Sequence, residues 1–323
     1  MFKYPVGVQL FNRPEYAKRV LTSLKTQNLA INQDKLFIFI DGFSNSIYES
    51  RKKTNFTAQV EAISRDLFPL ANIRIFSSNR GIAELHNLMQ YEVFSVANDW
   101  AAFFEEDIVL DSSHLAELSQ LIEICNDQKD IVKVSCFQIL EELAHLPRGY
   151  NGFYPGTGTK AFAERKNFFS DKQKIMNRYI DIVKDQINSN DQFTNSRKGA
   201  LLGAEGYLLA YFQKDSLIES FLHFKQNLHV TTKPNLATDI GIEGVHDFVT
   251  PRLEVDVEGE EYSGDLRQRR RELSISIDKI RRESIEHIVS NYQEILDGFY
   301  TSRSRMAMIK KIFRSTFKKL KNR

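Results

Sequence analysis

Apolar and polar positions divide the chain into two parts. Through residue 137, short apolar runs alternate with segments of helical period. The runs are residues 4–11 (YPVGVQLF), 36–40 (LFIFI), 73–76 (IRIF), 100–104 (WAAFF) and 131–137 (IVKVSCF). Apolar runs of this kind predict strands buried on both faces, as in parallel sheets. Between them, Ala17, Val20, Leu21 and Leu24 predict an amphipathic helix over residues 14–27, with Pro14 suited to its first turn. A second helix is expected over 54–67. Ile82, Leu85, Leu88, Met89 and Val93 mark a third, and Leu115, Leu118, Leu121 and Ile122 a fourth. Regular alternation of strand and helix predicts an α/β fold with a doubly wound, mostly parallel sheet.

The second part is less regular. Residues 147–160 (PRGYNGFYPGTGTK) are rich in glycine and proline and read as a loop. Residues 161–198 are mostly polar with weak helical periodicity. Residues 206–212 suit a strand or a buried helix segment. Asp215 and Ser216 can cap a helix running to residue 224. A short strand is expected at 229–232, an acidic loop at 251–265, and one or two charged helices at 266–300 as a C-terminal helical extension. The expected organisation is one α/β domain over 1–250, a linker with helices over 251–302, and a basic amphipathic tail over 303–323.

Composition narrows the classes. A 323-residue chain that is 42% hydrophobic and 27% charged can build a full soluble core. Its net charge of +2 gives no argument for nucleic acid. Cys125 and Cys136 are too few for a disulfide scaffold or a cysteine zinc site and predict a reducing compartment. No run is long enough to span a membrane, and strand-like residues begin too early for a secretory leader. A cytoplasmic protein is expected.

The chemistry concentrates after the apolar runs. Glu105, Glu106 and Asp107 follow the strand over 100–104 without a break, and Ile108 resumes the apolar character at once. Three adjacent carboxylates leaving water need compensation, which a divalent cation bound through oxygen provides. Arg13, Asp41 and Arg80 follow the earlier strands in the same way. In open α/β sheets these positions share the ligand-binding edge. Carboxylates for base and ribose, an arginine for a pyrophosphate and an acid for its cation make up a nucleotide-diphosphate site. Taken singly, Arg13 also suits a surface ion pair and Asp41 a turn before Gly42.

These pieces resemble a known group. Phe11-Asn12-Arg13-Pro14, Asp41-Gly42, Asn79-Arg80-Gly81-Ile82-Ala83, Phe104-Glu105-Glu106-Asp107, Phe153-Tyr154-Pro155-Gly156-Thr157-Gly158 and Ile240-Gly241-Ile242-Glu243-Gly244-Val245-His246 are similar to motifs of GT-A nucleotide-sugar glycosyltransferases. Within that group they resemble the N-acetylglucosaminyltransferase I family and its bacterial relatives, over about residues 4–250. The resemblance implies a Rossmann-like GT-A fold and an inverting transfer from a UDP-sugar, UDP-GlcNAc for example. It implies that Arg13 and Asp41 contact the base and its neighbouring phosphate, and that Glu105 and Glu106 face the ribose. Asp107 would bind Mn²⁺ or Mg²⁺, and His246 would bring a ligand to the metal or pyrophosphate. Either Asp215 or Glu219 would be the catalytic base, with Asp181 the third choice. Asp215 equally suits a helix N-cap, and Glu219 a solvated helix face. The tryptophans that usually flank the glycine-rich loop and the catalytic acid are missing.

Two other functions suit a sheet of this kind. A sugar-nucleotide nucleotidyltransferase needs a glycine-rich loop after the first strand, and residues 11–18 contain no glycine. A catalytically silent binding protein on the same fold is the other alternative. From Arg303 to Arg323 there are nine Lys or Arg and no acid, with Ile309, Ile312, Phe313, Phe317 and Leu320 at helical spacing. A basic amphipathic helix of this type suits an anionic membrane surface, and the same residues also suit a solvated tail or a helix packed on its own domain or a partner subunit. Membrane docking predicts a peripheral protein on the inner membrane face, a glycan or lipid-linked acceptor, and a place in surface-polysaccharide assembly.

Overall fold

A computed structural model describes residues 1–137, 153–156, 160–188, 218, 221–222, 225, 227–232, 236–241 and 266–299. Its strands are β1 (Val6–Leu10), β2 (Leu36–Ile40), β3 (Asn72–Ile75), β4 (Trp100–Phe104), β5 (Ile108–Leu110), β6 (Ile131–Ser135), β7 (Phe153–Pro155), β8 (Ala161–Arg165), β9 (Leu228–Thr232) and β10 (Ala237–Asp239). Its helices are α1 (Pro14–Lys25), α2 (Ile47–Ser50), α3 (Thr57–Leu67), α4 (Ile82–Val96), α5 (His114–Cys125), α6 (Lys166–Asn188) and α7 (Leu266–Phe299).

Eight strands form one sheet in the order β3-β2-β1-β4-β8-β6-β9-β7. β3, β2, β1 and β4 are mutually parallel, and β6 pairs β9 in parallel. β8 runs antiparallel between β4 and β6, and β7 antiparallel along β9. This is the expected doubly wound, mostly parallel α/β sheet. Every residue of β1, β2 and β4 is buried, as their unbroken apolar sequences predict. The edge strand β3 is largely exposed. Chain order reverses between β1 and β4, so the switch point of the sheet lies beyond their carboxyl ends. Outside the main sheet, β5 and β10 make an antiparallel pair that sets Asp239 opposite Ile108.

Side chains explain where elements stop short of the expected bounds. β1 ends at Leu10 because the Phe11 N–H donates to Glu106 Oε2 (2.9 Å), outside the strand ladder. α3 starts at Thr57, three residues late. Asn12 holds the preceding segment, donating to the Thr54 carbonyl (2.7 Å) and accepting from the Phe56 N–H (2.5 Å).

The polar stretch after 160 is a correction. Residues 161–165 form a central strand with all five residues buried. Two of them are charged, and the surroundings compensate both. Glu164 accepts from the Lys172 ammonium (2.5 Å) and from Gln90 (3.2 Å). Arg165 pairs with Asp99 (2.5 Å), donates to the carbonyls of Ile131, Cys125 and Asn126, and stacks on Trp100. Residues 153–155, expected within a loop, are likewise a strand. The C-terminal extension begins with one helix, α7. It joins the main core through Leu273 and Ile280 and is tied to α5 by a buried Arg269–Glu117 pair.

His114 on α5 ties β10's flank to the core. Its Nδ1–H donates to the Leu236 carbonyl (2.9 Å), and its ring is fully buried edge-on to Phe104. Burial lowers its pKa from 6.5 to about 4, against the pull of that hydrogen bond. A lowered folded-state value means the stability is fully present above pH 6.5. It drains away as pH falls toward 4, because the unfolded chain takes up the proton first. Wild type should lose about 3 kcal/mol more than His114→Leu between pH 7 and 4, measured by urea unfolding. Equal losses would refute the assignment.

Candidate functional site

The switch point collects residues from β1, β2, β4 and the strands that follow. Arg13 opens α1 just past β1, and Glu106 turns back from the end of β4. The Arg13 guanidinium makes two contacts with Glu106 Oε1 (2.6 and 2.8 Å), while the other carboxylate oxygen takes the Phe11 N–H. Arg13 also packs over the Tyr16 ring. Both charged side chains are largely buried. Burial pushes the Glu106 carboxyl above its ordinary range, although Arg13 and the Phe11 N–H pull it down. Burial also works against the Arg13 charge, but Glu106 outweighs it and raises the guanidinium pKa. The pair fixes the Arg13 guanidinium beyond the carboxyl ends of β1 and β4.

Asp41 ends β2, and its carboxylate organises the neighbouring loop. It accepts from the N–H groups of Gly42, Arg80 and Gly81 and from the Asn79 amide. Burial raises its pKa, and these backbone donors counter the rise. Gly42 is required by the close approach of the same loop: a Cβ there would fall 2.3 Å from the Ser78 backbone. The loop presents Arg80 half in solvent, 3.7 Å from Glu84 and over the Phe76 ring. Asp41 and Arg80 are thus brought together through the backbone.

Asp107 lies in a separate cluster that the sequence reading missed. Lys160 Nζ stands 2.9 Å from Asp107 Oδ2 and 2.9 Å from Asp239 Oδ2. The Glu105 N–H donates to the Lys160 carbonyl, which fixes the lysine's backbone against the acidic turn. The Ile240 N–H donates to the Asp107 carbonyl, and the Gly241 N–H to Asp239 Oδ1. Gly241 leaves the space between the two carboxylates open: a Cβ would sit 2.7 Å from Asp107 Oδ2 and 3.0 Å from Asp239 Oδ1. Asp107 Oδ1 is buried with no hydrogen-bond partner. A lysine closing a glycine-rich loop, and an aspartate two residues before Gly241, were the available signals.

Among the described residues, no group of three His, Cys, Asp or Glu could hold a metal ion. Asp181 sits exposed on α6. Asp215, Glu219, His246 and the tail over 303–323 lie outside the described residues.

No family model matches the chain, and no curated protein matches it. Solved structures align with part of the chain. S. aureus TarS aligns at 12% identity over 53% of this chain and 30% of that one, with a TM-score of 0.37. S. aureus TarS 1–349 in complex with UDP-GlcNAc aligns at 11% identity over 52% of this chain and 47% of that one, with a TM-score of 0.34. Mannosyltransferase PcManGT from Pyrobaculum calidifontis, in complex with GDP-Man and Mn²⁺, aligns at 13% identity over 53% and 47%, with a TM-score of 0.36. The chain thus spans 30–47% of the length of these structures.

Proposed function

We propose that the chain is a GT-A glycosyltransferase moving a sugar from a UDP-sugar, such as UDP-GlcNAc, to a hydroxyl of a glycan or lipid-linked acceptor. The observation that carries this reading is the grouping at one sheet switch point. There the paired Arg13 and Glu106 stand beside the acidic turn whose last member, Asp107, meets Lys160 and Asp239. The motif resemblance supplies the choice of donor.

The residues divide the work. Arg13 and Arg80 offer positive charge to the donor's phosphates. Asp41 sets the loop that carries Arg80 and stands on the base side, while Glu105 and Glu106 face the ribose. The anomeric C–O bond breaks with its electron pair leaving on the diphosphate. The acceptor oxygen forms the new bond from the opposite face, which inverts the centre. Its proton passes to a carboxylate, Asp215 or Glu219, with Asp181 as the alternative.

A divalent cation fits the acidic cluster on three counts. Asp107 has an unpartnered buried oxygen, Gly241 leaves the cradle open, and a cation, the Lys160 ammonium, already sits between two hard carboxylates. Asp107 and Asp239 would hold Mn²⁺ or Mg²⁺, with His246 as a further ligand. Bound there, the ion would supply Lewis acidity toward the leaving diphosphate.

The test is thermal stability with UDP, UDP-GlcNAc and GDP-Man, each with Mn²⁺ and with EDTA. A nucleotide at 100 times its Kd should stabilise the fold by about 2.7 kcal/mol. No stabilisation by any nucleotide would overturn the reading. Stabilisation by UDP-GlcNAc with no hydrolysis or transfer would mark the silent binder.

We place the enzyme at the inner membrane face through residues 303–323, in surface-polysaccharide assembly. No described helix is long and apolar enough to cross a membrane. The basic tail supports docking, since each basic residue near an anionic leaflet contributes about 1 kcal/mol. The full chain should float with anionic vesicles at low salt, and a chain ending at Ser302 should not. Equal flotation of the two forms would remove the tail from the mechanism.

A further inference from the structure

Among the described residues, Lys160 is the basic group that hydrogen-bonds both Asp107 and Asp239, and three features of its position matter. Its ammonium bridges Asp107 and Asp239 at equal distances, 2.9 Å to each. The two carboxylates are well covered, with side chains 15% and 6% exposed, while Lys160 is 28% exposed. It is therefore the most exposed member of the trio. The two residues cannot move apart easily. The Ile240 N–H holds the Asp107 main chain through its carbonyl, β5 and β10 are paired, and the Gly241 N–H holds the Asp239 carboxylate at Oδ1.

We propose that Lys160 is an internal competitor for the divalent-cation site: its ammonium holds Asp107 and Asp239 in the metal-free protein, and the incoming cation displaces it. The proposal rests on reading Asp107 as a cation ligand, and adds Asp239 as the second carboxylate and Lys160 as the residue exchanged. The physical reason is charge. Two carboxylates this close require a cation between them, and a single ammonium satisfies the metal-free state with a monovalent charge. A divalent ion attracts the same pair more strongly and also engages the unpartnered Asp107 Oδ1. An ammonium and a divalent cation would repel each other in that space, so occupation is exclusive. The flexible lysine stem lets the ammonium swing outward. Once freed, it is available to a diphosphate oxygen. Cation and nucleotide then favour each other's binding, because each stabilises the state with Lys160 turned away from the carboxylates.

The experiment titrates Mn²⁺ into the full chain without nucleotide, following free Mn²⁺ by electron paramagnetic resonance. Lys160→Met should bind Mn²⁺ roughly tenfold more tightly than wild type, or better, since the competing charge is gone. Asp239→Asn should bind it roughly tenfold more weakly. In addition, acylation of Lys160 in the wild-type chain, read by mass spectrometry, should speed up several-fold when Mn²⁺ is added. That measurement stands even if Lys160→Met fails to fold. Unchanged or weaker Mn²⁺ binding by a folded Lys160→Met overturns the proposal, as does Lys160 reactivity that ignores bound Mn²⁺. No Mn²⁺ uptake by wild type or variant overturns it too, and points to Lys160 as the permanent cation. Nucleotide is absent from every arm, so these results fail or hold separately from nucleotide binding.

Discussion

Asp107→Ala should abolish the metal-dependent part of nucleotide binding while leaving the fold intact. UDP affinity measured by calorimetry with Mn²⁺ should fall about 100-fold, to the level that wild type shows in EDTA. That corresponds to about 2.7 kcal/mol, ordinary for removing a charged ligand of a bound cation. The fold should survive because the turn is held by its backbone. The Asp107 carbonyl accepts from Ile240, and the Glu105 carbonyl from Ile108, whichever side chain stands at 107. Lys160 keeps Asp239 as its partner. Far-ultraviolet circular dichroism should therefore match wild type. A variant that bound UDP with undiminished dependence on Mn²⁺ would disprove the role of Asp107.

The parallel half of the fold was legible because its strands are chemically plain. Sequences such as LFIFI and WAAFF contain no charged side chain, and the Trp100 indole N–H is their one side-chain polar group, so burial on both faces follows from composition. The positions of Arg13, Asp41, Arg80 and Glu105 to Asp107 in the fold were legible from the same pattern. Each directly follows a strand or its turn, and parallel topology brings those ends to one edge. β8 was not legible. Glu164 and Arg165 look solvated in sequence, yet partners elsewhere in the chain compensate them: Lys172 for one, Asp99 and four backbone carbonyls for the other. Lys160 and Asp239 were missed along with it. They reach Asp107 only through the antiparallel pairings β4–β8 and β5–β10, whose register no local periodicity announces. The structural place of Asp41 was half legible. Its place at the strand end was foreseen, but its carboxylate proved to be the support of the 79–81 loop.

Arg13→Ala should be the most destabilising single change at the site, and its cost should depend on pH in a defined direction. Arg13 is the cation paired with Glu106, whose side chain is 13% exposed. Removing one member of a buried pair leaves the other charge uncompensated, a loss of roughly 3 kcal/mol. Burial already raises the Glu106 pKa, and Arg13 is the main force holding it down. Without Arg13, the folded-state value climbs further above the unfolded one. A carboxyl with a raised folded-state pKa contributes stability below the unfolded value and loses it as pH rises through the folded one. The variant should therefore lie closest to wild type near pH 4 and fall furthest behind above neutrality. Glu106→Gln added to Arg13→Ala should recover part of the loss at pH 8. Glutamine brings no charge, and its carbonyl oxygen can still accept the Phe11 N–H. Urea unfolding of wild type, both single variants and the double variant at pH 4.5 and 8 gives the coupling directly. A deficit independent of pH, with no recovery in the double variant, would mean that Arg13 acts through packing on Tyr16 and not through Glu106.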